Sequence, residues 1–408
     1  MDGIAHSDPL LAYPNLAYPH RADELIATAR AMIPTLALRA QRQADNRRLL
    51  PETVAEMKAA GFFRVLQPRR WGGYEIDPRV FAEIQMALAE GDMSVAWVYG
   101  VVGVHAFQIA LFDDQAARDV WGEDDSVLIA STYMPTGRAT PVAGGYRFSG
   151  KWKFSSGVEH CQWIFLGGLT VKDESTGKGG DYCTFLLPRA DFEIIDTWDV
   201  MGLKGTGSQD IVVRDVFIPE YRVHKTSDAY GGTSPGNAVN TGHLYRYPFV
   251  QVFFRAVTNG CIGGLQAMLN EFRAYGAARI TTVGTSTAND PDAQLASAEA
   301  ASAIDEMKCI LHRNFADIDA HARRGEQPSE EQRLLYRYQS SVVAERCLEL
   351  AAKLFKCAGG SGLYATQSFG RIYADLIAAR QHVSNQSQVS GRGFGAVLLG
   401  LPNRDPMI

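Results

Sequence analysis

Two short runs gather the groups best suited to holding a flat, polar ligand. One is Gly150–Gly157, reading Gly-Lys-Trp-Lys-Phe-Ser-Ser-Gly; the other is Gly202–Asp210, reading Gly-Leu-Lys-Gly-Thr-Gly-Ser-Gln-Asp. Both fall at the ends of strand-like segments, so Ser155, Ser156, Thr206 and Ser208 put hydroxyls beside bare backbone such as Gly205. Gly205-Thr-Gly207 does not open a strand–helix–strand unit and is therefore no dinucleotide fingerprint. His105 lies inside an almost wholly apolar stretch, Ser94 to Phe112. A histidine titrating near neutrality is a usable general base, although the default for a ring in such a helix is to rest on a backbone carbonyl. The nine histidines show no ligand spacing, and the six cysteines form no C-x-x-C pair. A metal site is not expected, and the cysteines read as small core residues of a reducing compartment, the cytoplasm.

Composition narrows the class. The 408 residues suffice for several layers around a large core, with 46% hydrophobic and 21% charged residues. A net charge of −5 without a polybasic block argues against nucleic-acid or membrane-surface partners. No apolar run approaches the roughly 20 residues of a membrane span. Met1 to His20 has three prolines and no basic n-region, so it reads as a loose arm and not a signal peptide.

The elements that must position these residues come in three blocks. Arg21 to Arg48 has helical spacing, with Pro34 expected to kink or split it. Pro51 to Gly61 is a helix with a Pro start and a Gly stop. Ser94 to Phe112 is a buried helix. From Ser126 the period changes to two: Ser126–Tyr133, Gly145–Phe154, Gln162–Val171, Tyr182–Pro188 and Ile211–Pro219 read as strands of an antiparallel domain. Gly144-Gly145 suits a hairpin turn. Lys225 to Gly242 reads as a long loop, a candidate lid. The helical period returns after Phe249, with one long run from Leu334 to Phe355 and another helix through Tyr373 to Gln381. The fold class is α+β: an N-terminal helical domain (1–125), a central β domain (126–235) and a C-terminal helical bundle (236–408).

That order resembles the acyl-CoA dehydrogenase fold over nearly the whole chain. The matching pieces are Leu50-Pro51 with its helix, Trp71-Gly-Gly73, Gly150–Gly157, Gly202–Asp210 with the strand ending at Pro219, and Gly359-Gly360. The dehydrogenases place a glutamate base shortly after an Arg-Asp pair. Here Asp375 is kept, but the following window, Ala379-Arg-Gln-His-Val-Ser384, holds no carboxylate. Their tryptophan near the flavin is Lys153 here. The chain instead is similar to the oxygenase components of two-component flavin-dependent monooxygenases, whose pattern appears as Lys151-Trp152, Phe154-Ser-Ser-Gly157, then His160 and Trp163. Hydroxylases of hydroxyphenylacetate and of steroid-derived phenols are the nearest analogues.

The resemblance implies that reduced flavin (FMNH2 or FADH2) and O2 form a C4a-hydroperoxyflavin that hydroxylates a small phenolic or related aromatic molecule. It assigns Ser155 to flavin N5, His105 and Ser131 to the phenol oxygen, and His382 to the oxygen-bearing end of the pocket. Trp152, Ser156, Gly205, Thr206 and Ser208 are the remaining cofactor candidates, with Arg279 reaching a flavin phosphate in a neighbouring subunit. His160, Trp163 and Tyr245 are candidates for the substrate pocket. It also implies a homotetramer and, since no segment looks able to bind NADH, a separate NAD(P)H-dependent flavin reductase. Two alternatives on this fold are oxygenation of an indole or a sulfur or nitrogen heterocycle, and an acyl-CoA dehydrogenase with a relocated glutamate.

Overall fold

The structure is a computed structural model describing residues 19–172, 179–280, 284–405 and 407–408. The N-terminal arm, apart from its last two residues, lies outside them. The first block comprises α1 (Pro19–Asp45), α2 (Pro51–Ala59), α3 (Pro78–Gly91), α4 (Met93–Gly103), α5 (His105–Ile109) and α6 (Asp114–Trp121). The sheet comprises β1 (Ile129–Val142), β2 (Gly145–Ser155), β3 (Trp163–Thr170), β4 (Tyr182–Pro188), β5 (Glu193–Ile195), β6 (Gln209–Pro219) and β7 (Val223–Lys225). α7 (Thr226–Gly231) follows β7, and the last block comprises α8 (Phe249–Arg255), α9 (Asn259–Ala278), α10 (Pro291–Arg323), α11 (Glu330–Ser341), α12 (Val343–Ala358), α13 (Phe369–Arg380) and α14 (Ser387–Leu398).

Pro34 neither splits nor ends α1, which runs through it. α3 closes on that spot: a Cβ on Gly91 would lie 2.8 Å from the Ile33 carbonyl. Packing at such close range outweighs the one backbone bond that proline removes. The buried stretch around His105 breaks at Val104, which makes His105 the first residue of α5. The long helix expected after Leu334 likewise breaks, at Val342, into α11 and α12. The candidate lid is partly ordered as β7 and α7.

The seven strands order as β5-β6-β2-β1-β3-β4-β7. The sheet is mixed and not antiparallel throughout: β1 and β3 run parallel, with Ile129 opposite Trp163. Connection through β2 to the far side of β1 forces that direction. The hairpin between β1 and β2 turns at Gly144, whose φ of +77° only glycine adopts at no steric cost. β5 and β7, each three residues long, escape a period-two search because they are too short to show alternation.

Trp152 is the centre of the β domain. Its side chain is fully buried, its ring centroid is 5.3 Å from that of Phe148, and its indole N–H donates to the Gly167 carbonyl at 2.8 Å and the Met134 carbonyl at 3.1 Å. Cβ atoms on Gly137 and Gly150 would both strike this ring. No donor is left for a cofactor. The expectation that Trp152 binds flavin directly is therefore corrected to a packing role that holds the strand leading to Ser155.

Candidate active site

The two hydroxyl-rich runs meet. The Gly157 N–H donates to the Thr206 carbonyl at 2.8 Å, Ser156 Oγ lies 2.7 Å from Ser208 Oγ, and Ser208 Oγ lies 2.7 Å from Thr206 Oγ1. From α4, Trp97 Nε1 donates to Ser156 Oγ at 3.1 Å. Close approach explains the glycine at 157: a Cβ there would lie 2.7 Å from Val98 Cγ1. These hydroxyls bond one another and build a rigid shelf. Ser155 differs. Its side chain is completely buried and its Oγ has no hydrogen-bond partner. An unpaired buried hydroxyl costs about 1–3 kcal/mol and calls for a ligand atom. Phe154 beside it has φ +67° and is 60% exposed, an aromatic ring left open at the edge of the shelf.

His105 is buried with its Nδ1 2.5 Å from the Ile129 carbonyl, so Nδ1 carries the proton and Nε2 presents a lone pair. That Nε2 is buried and unpartnered. Tyr133 and Phe165 stand edge-on to the imidazole, with Phe253 tilted beside it. Ser131 shares the β1 face with Ile129 and Tyr133, and the Tyr133 hydroxyl bonds Gln108. Burial pushes His105 down to about 4, against the near-neutral value expected. A cavity lined by His105, Phe63, Val102 and Leu128 measures about 30 Å³, room for a water.

His382 follows α13. Its Nδ1 accepts the Ser384 N–H at 3.2 Å, which leaves the proton on Nε2, and its ring meets Trp97 edge-on at 5.6 Å. Desolvation, helped by Arg337, holds it below its ordinary value. The two histidines thus have opposite tautomers: one offers a lone pair at Nε2, the other an N–H.

The other candidates lie elsewhere. Arg222 stacks over Trp163 at 4.9 Å and closes it off at the outer rim of the sheet. His160 turns towards Leu49 and Arg48. Tyr245 is buried, donates to the Leu66 carbonyl at 3.2 Å and stands behind Phe107. Among the described residues no hydrogen bond or ring contact joins these three to His105 or Ser155, and His160 Nε2 is itself buried without a partner, so their place in the substrate pocket stays an expectation. Arg279 caps α9, donating to the Cys357 carbonyl at 3.1 Å beside Gly359. Nothing links it to Ser155 within one chain.

Sequence reasoning missed Trp97, Gln108, Tyr133 and Phe253. Only Trp97 carried a signal: an indole N–H in an otherwise apolar helix needs an acceptor. Tyr133 and Phe253 are half-buried and stand against the His105 ring, while the half-buried Trp97 stands against His382 and Ser156.

His105 and the equally buried His224, which bonds Ser234 at 3.0 Å, both stay neutral to about pH 4. The unfolded chain takes up these protons at the ordinary 6.5. Stability is therefore complete above about pH 6.5 and falls as the pH drops towards 4, by on the order of 3 kcal/mol per ring. Urea midpoints at pH 7.5 and 4.5 should show this fall, and His224→Asn should remove part of it.

A fold of this order, with a hydroxyl shelf and an unpaired serine at its edge, defines an acyl-CoA dehydrogenase-like flavoprotein, and the family model for the acyl-CoA dehydrogenase C-terminal domain matches residues 260–387. The oxygenase subunit HsaA of a flavin-dependent monooxygenase from Rhodococcus jostii (strain RHA1) is 36% identical over 380 residues, 93% of this chain and 99% of that protein. The oxygenase component of the FADH2-dependent resorcinol hydroxylase from Rhizobium sp. (strain MTP-10005) is 31% identical, covering 88% of this chain and 90% of its own. The crystal structure of 3-HSA hydroxylase from Rhodococcus sp. RHA1 superimposes with a TM-score of 0.90 at 35% identity, covering 94% of this chain and 99% of that one. The chain belongs to the oxygenase components of flavin-dependent monooxygenases built on the acyl-CoA dehydrogenase fold. It is an enzyme that uses reduced flavin and O2, and it works with a flavin reductase. The relocated-glutamate dehydrogenase is set aside by these relatives.

Proposed function

We propose that the enzyme hydroxylates a phenol beside its hydroxyl group, with the phenol oxygen held by His105 and Ser131. The observation that carries this is a pair of buried, unpartnered polar atoms, His105 Nε2 and Ser155 Oγ. The first suits a phenolic O–H, the second flavin N5. Reduced flavin, when bound, supplies the electrons that activate dioxygen for transfer to the ring.

The chain's own residues do the rest. His105 Nε2 accepts the phenol hydrogen bond. Burial holds the His105 ring well below its ordinary value, so it is a weak base towards a resting phenol, whose ordinary pKa is about 10. The proton therefore stays on the phenol in the ground state and shifts to Nε2 only as the ring is attacked and its hydroxyl turns acidic. The His382 Nε2–H is the donor at the oxygen-bearing end. Trp97, Phe154 and the Ser156–Ser208–Thr206 shelf orient the flavin and exclude water. Arg279 serves the phosphate of a flavin in a neighbouring subunit of a homotetramer. The exposed side chains of Val383, Val389, Leu398 and Leu399 supply an apolar face for that assembly. The reductase uses NAD(P)H, the compartment is the cytoplasm, and the three blocks act as domains 1–125, 126–235 and 236–408. No helix among the described residues is long and apolar enough to cross a membrane.

The test is a panel of phenols and their O-methyl ethers, incubated with chemically reduced FMN or FAD under isotopically labelled O2. Labelled hydroxyl should enter the phenols next to the existing hydroxyl and spare the ethers. Equal turnover of the ethers, or of indoles alone, would overturn the reading. Ser155→Ala should lower product formed per flavin oxidised by about tenfold, the scale of one lost hydrogen bond, with hydrogen peroxide rising to match in a peroxidase-coupled assay.

A further inference from the structure

Asp375, midway along α13, is a buried carboxylate (4% exposed) that the chemistry above does not use. Its Oδ1 accepts the Leu203 N–H at 2.6 Å. Leu203 stands in the left-handed region at φ +52°, a conformation that leucine keeps only when its surroundings hold it. The Leu203 carbonyl is held from the other side by Thr206 Oγ1 at 2.9 Å and Trp198 Nε1 at 3.1 Å. Thr206 then bonds Ser208, Ser208 bonds Ser156, and Ser156 bonds Trp97. The loop also presses on the helix directly: a Cβ on Gly202 would lie 2.0 Å from the Ala374 carbonyl. α13 ends two residues before His382, whose ring meets Trp97. α13 therefore carries the anchor of the shelf and leads directly into the histidine that meets Trp97.

We infer that Asp375 is a positioning residue for hydroxylation, holding the Gly202–Ser208 loop through Leu203 and so setting the spacing between Ser155 and His382. This rests on the proposed placement of flavin at Ser155, and it adds a residue which that reading does not need.

Three charged groups face the carboxylate: Asp92 from the α3–α4 junction, Arg371 from its own helix and Lys204 from the loop. Burial first, then Asp92, raises Asp375 to about 7, against the opposing pull of the Leu203 N–H, Arg371 and Lys204. All four charged groups line a cavity of about 240 Å³, which gives the carboxyl a route for proton exchange. An ionised acceptor bonds an N–H more strongly than a neutral one. The hold on Leu203 therefore tightens as pH rises through neutrality.

The test compares Asp375→Ala, which removes the acceptor, with Asp375→Asn, which keeps an acceptor oxygen without charge. Two quantities are read from pH 6 to 8.5: hydroxylated product per flavin oxidised, and the visible circular dichroism of bound oxidised flavin. Melting temperature controls for folding. Asp375→Ala should lower product yield by about tenfold, the scale of coupling carried along a connected hydrogen-bond network, and should alter the dichroism. Asp375→Asn should recover most of the yield but lose the wild-type rise with pH. Wild-type yield and dichroism in Asp375→Ala would overturn the inference. So would an Asp375→Asn enzyme that melts like wild type yet is as impaired as the alanine variant. Should the wild type hydroxylate no phenol, the proposed substrate class falls, while the dichroism comparison still decides the role of Asp375.

Discussion

His105→Asn should reduce phenol hydroxylation by about 10²–10⁴-fold, the range for loss of a positioned acid–base group, while reduced flavin is still oxidised and hydrogen peroxide accumulates. The substitution is chosen for its geometry. The asparagine NH2 can keep the bond that Nδ1 makes to the Ile129 carbonyl, so the start of α5 stays anchored, but nothing replaces Nε2. Product and peroxide measured in the same quench separate loss of coupling from loss of flavin binding. The residual rate should climb as pH approaches the substrate's own pKa, where the phenolate no longer needs an acceptor. Unchanged product yield at pH 7 would remove His105 from the reaction.

The second large effect concerns stability. Trp152→Ala should destabilise the protein by about 3–5 kcal/mol, the range for an aromatic side chain deleted from a packed core. The ring fills the space that Gly137 and Gly150 leave, and those glycines cannot move in to close it. Trp152→Phe keeps much of the volume but leaves the Gly167 and Met134 carbonyls without their donor, at a cost of about 1–3 kcal/mol. Urea unfolding followed by far-ultraviolet dichroism measures both. A loss below 1 kcal/mol for the alanine variant would contradict the central packing role.

Trp152 also shows what was legible. The alternation of aromatics with Arg147, Ser149, Lys151 and Lys153 already placed its side chain on the covered face of a strand. Family resemblance drew it towards the cofactor, and local periodicity was the better guide. The order of blocks, the Gly144 turn and the meeting of Gly150–Gly157 with Gly202–Asp210 were all visible, because glycine, serine and period carry them locally. The parallel β1–β3 pair was not, since strand direction is set by the path of the chain between strands. Trp97, Tyr133 and Phe253 come from three separate elements and share no local pattern; only tertiary packing brings Tyr133 and Phe253 to His105 and Trp97 to His382. Tyr245 and Trp163 have the right residue types for a pocket, but Phe107 stands in front of one and Arg222 covers the other.

α14 has Ser390 as its only buried residue, while Val389 is 67% exposed and Leu399, just past its end, 84%. One side of it packs on α11: Ser390 bonds Ser341 at 2.6 Å, Phe394 lies against Tyr338, and a Cβ on Gly391 would strike the Tyr338 ring. A helix packed on one side and open on the other opens at less free-energy cost than one inside the core. Amide hydrogens from Gln388 to Leu399 should therefore trade with deuterated solvent faster than those of α12, and, on the proposed homotetramer, be retained longer at high protein concentration than at high dilution.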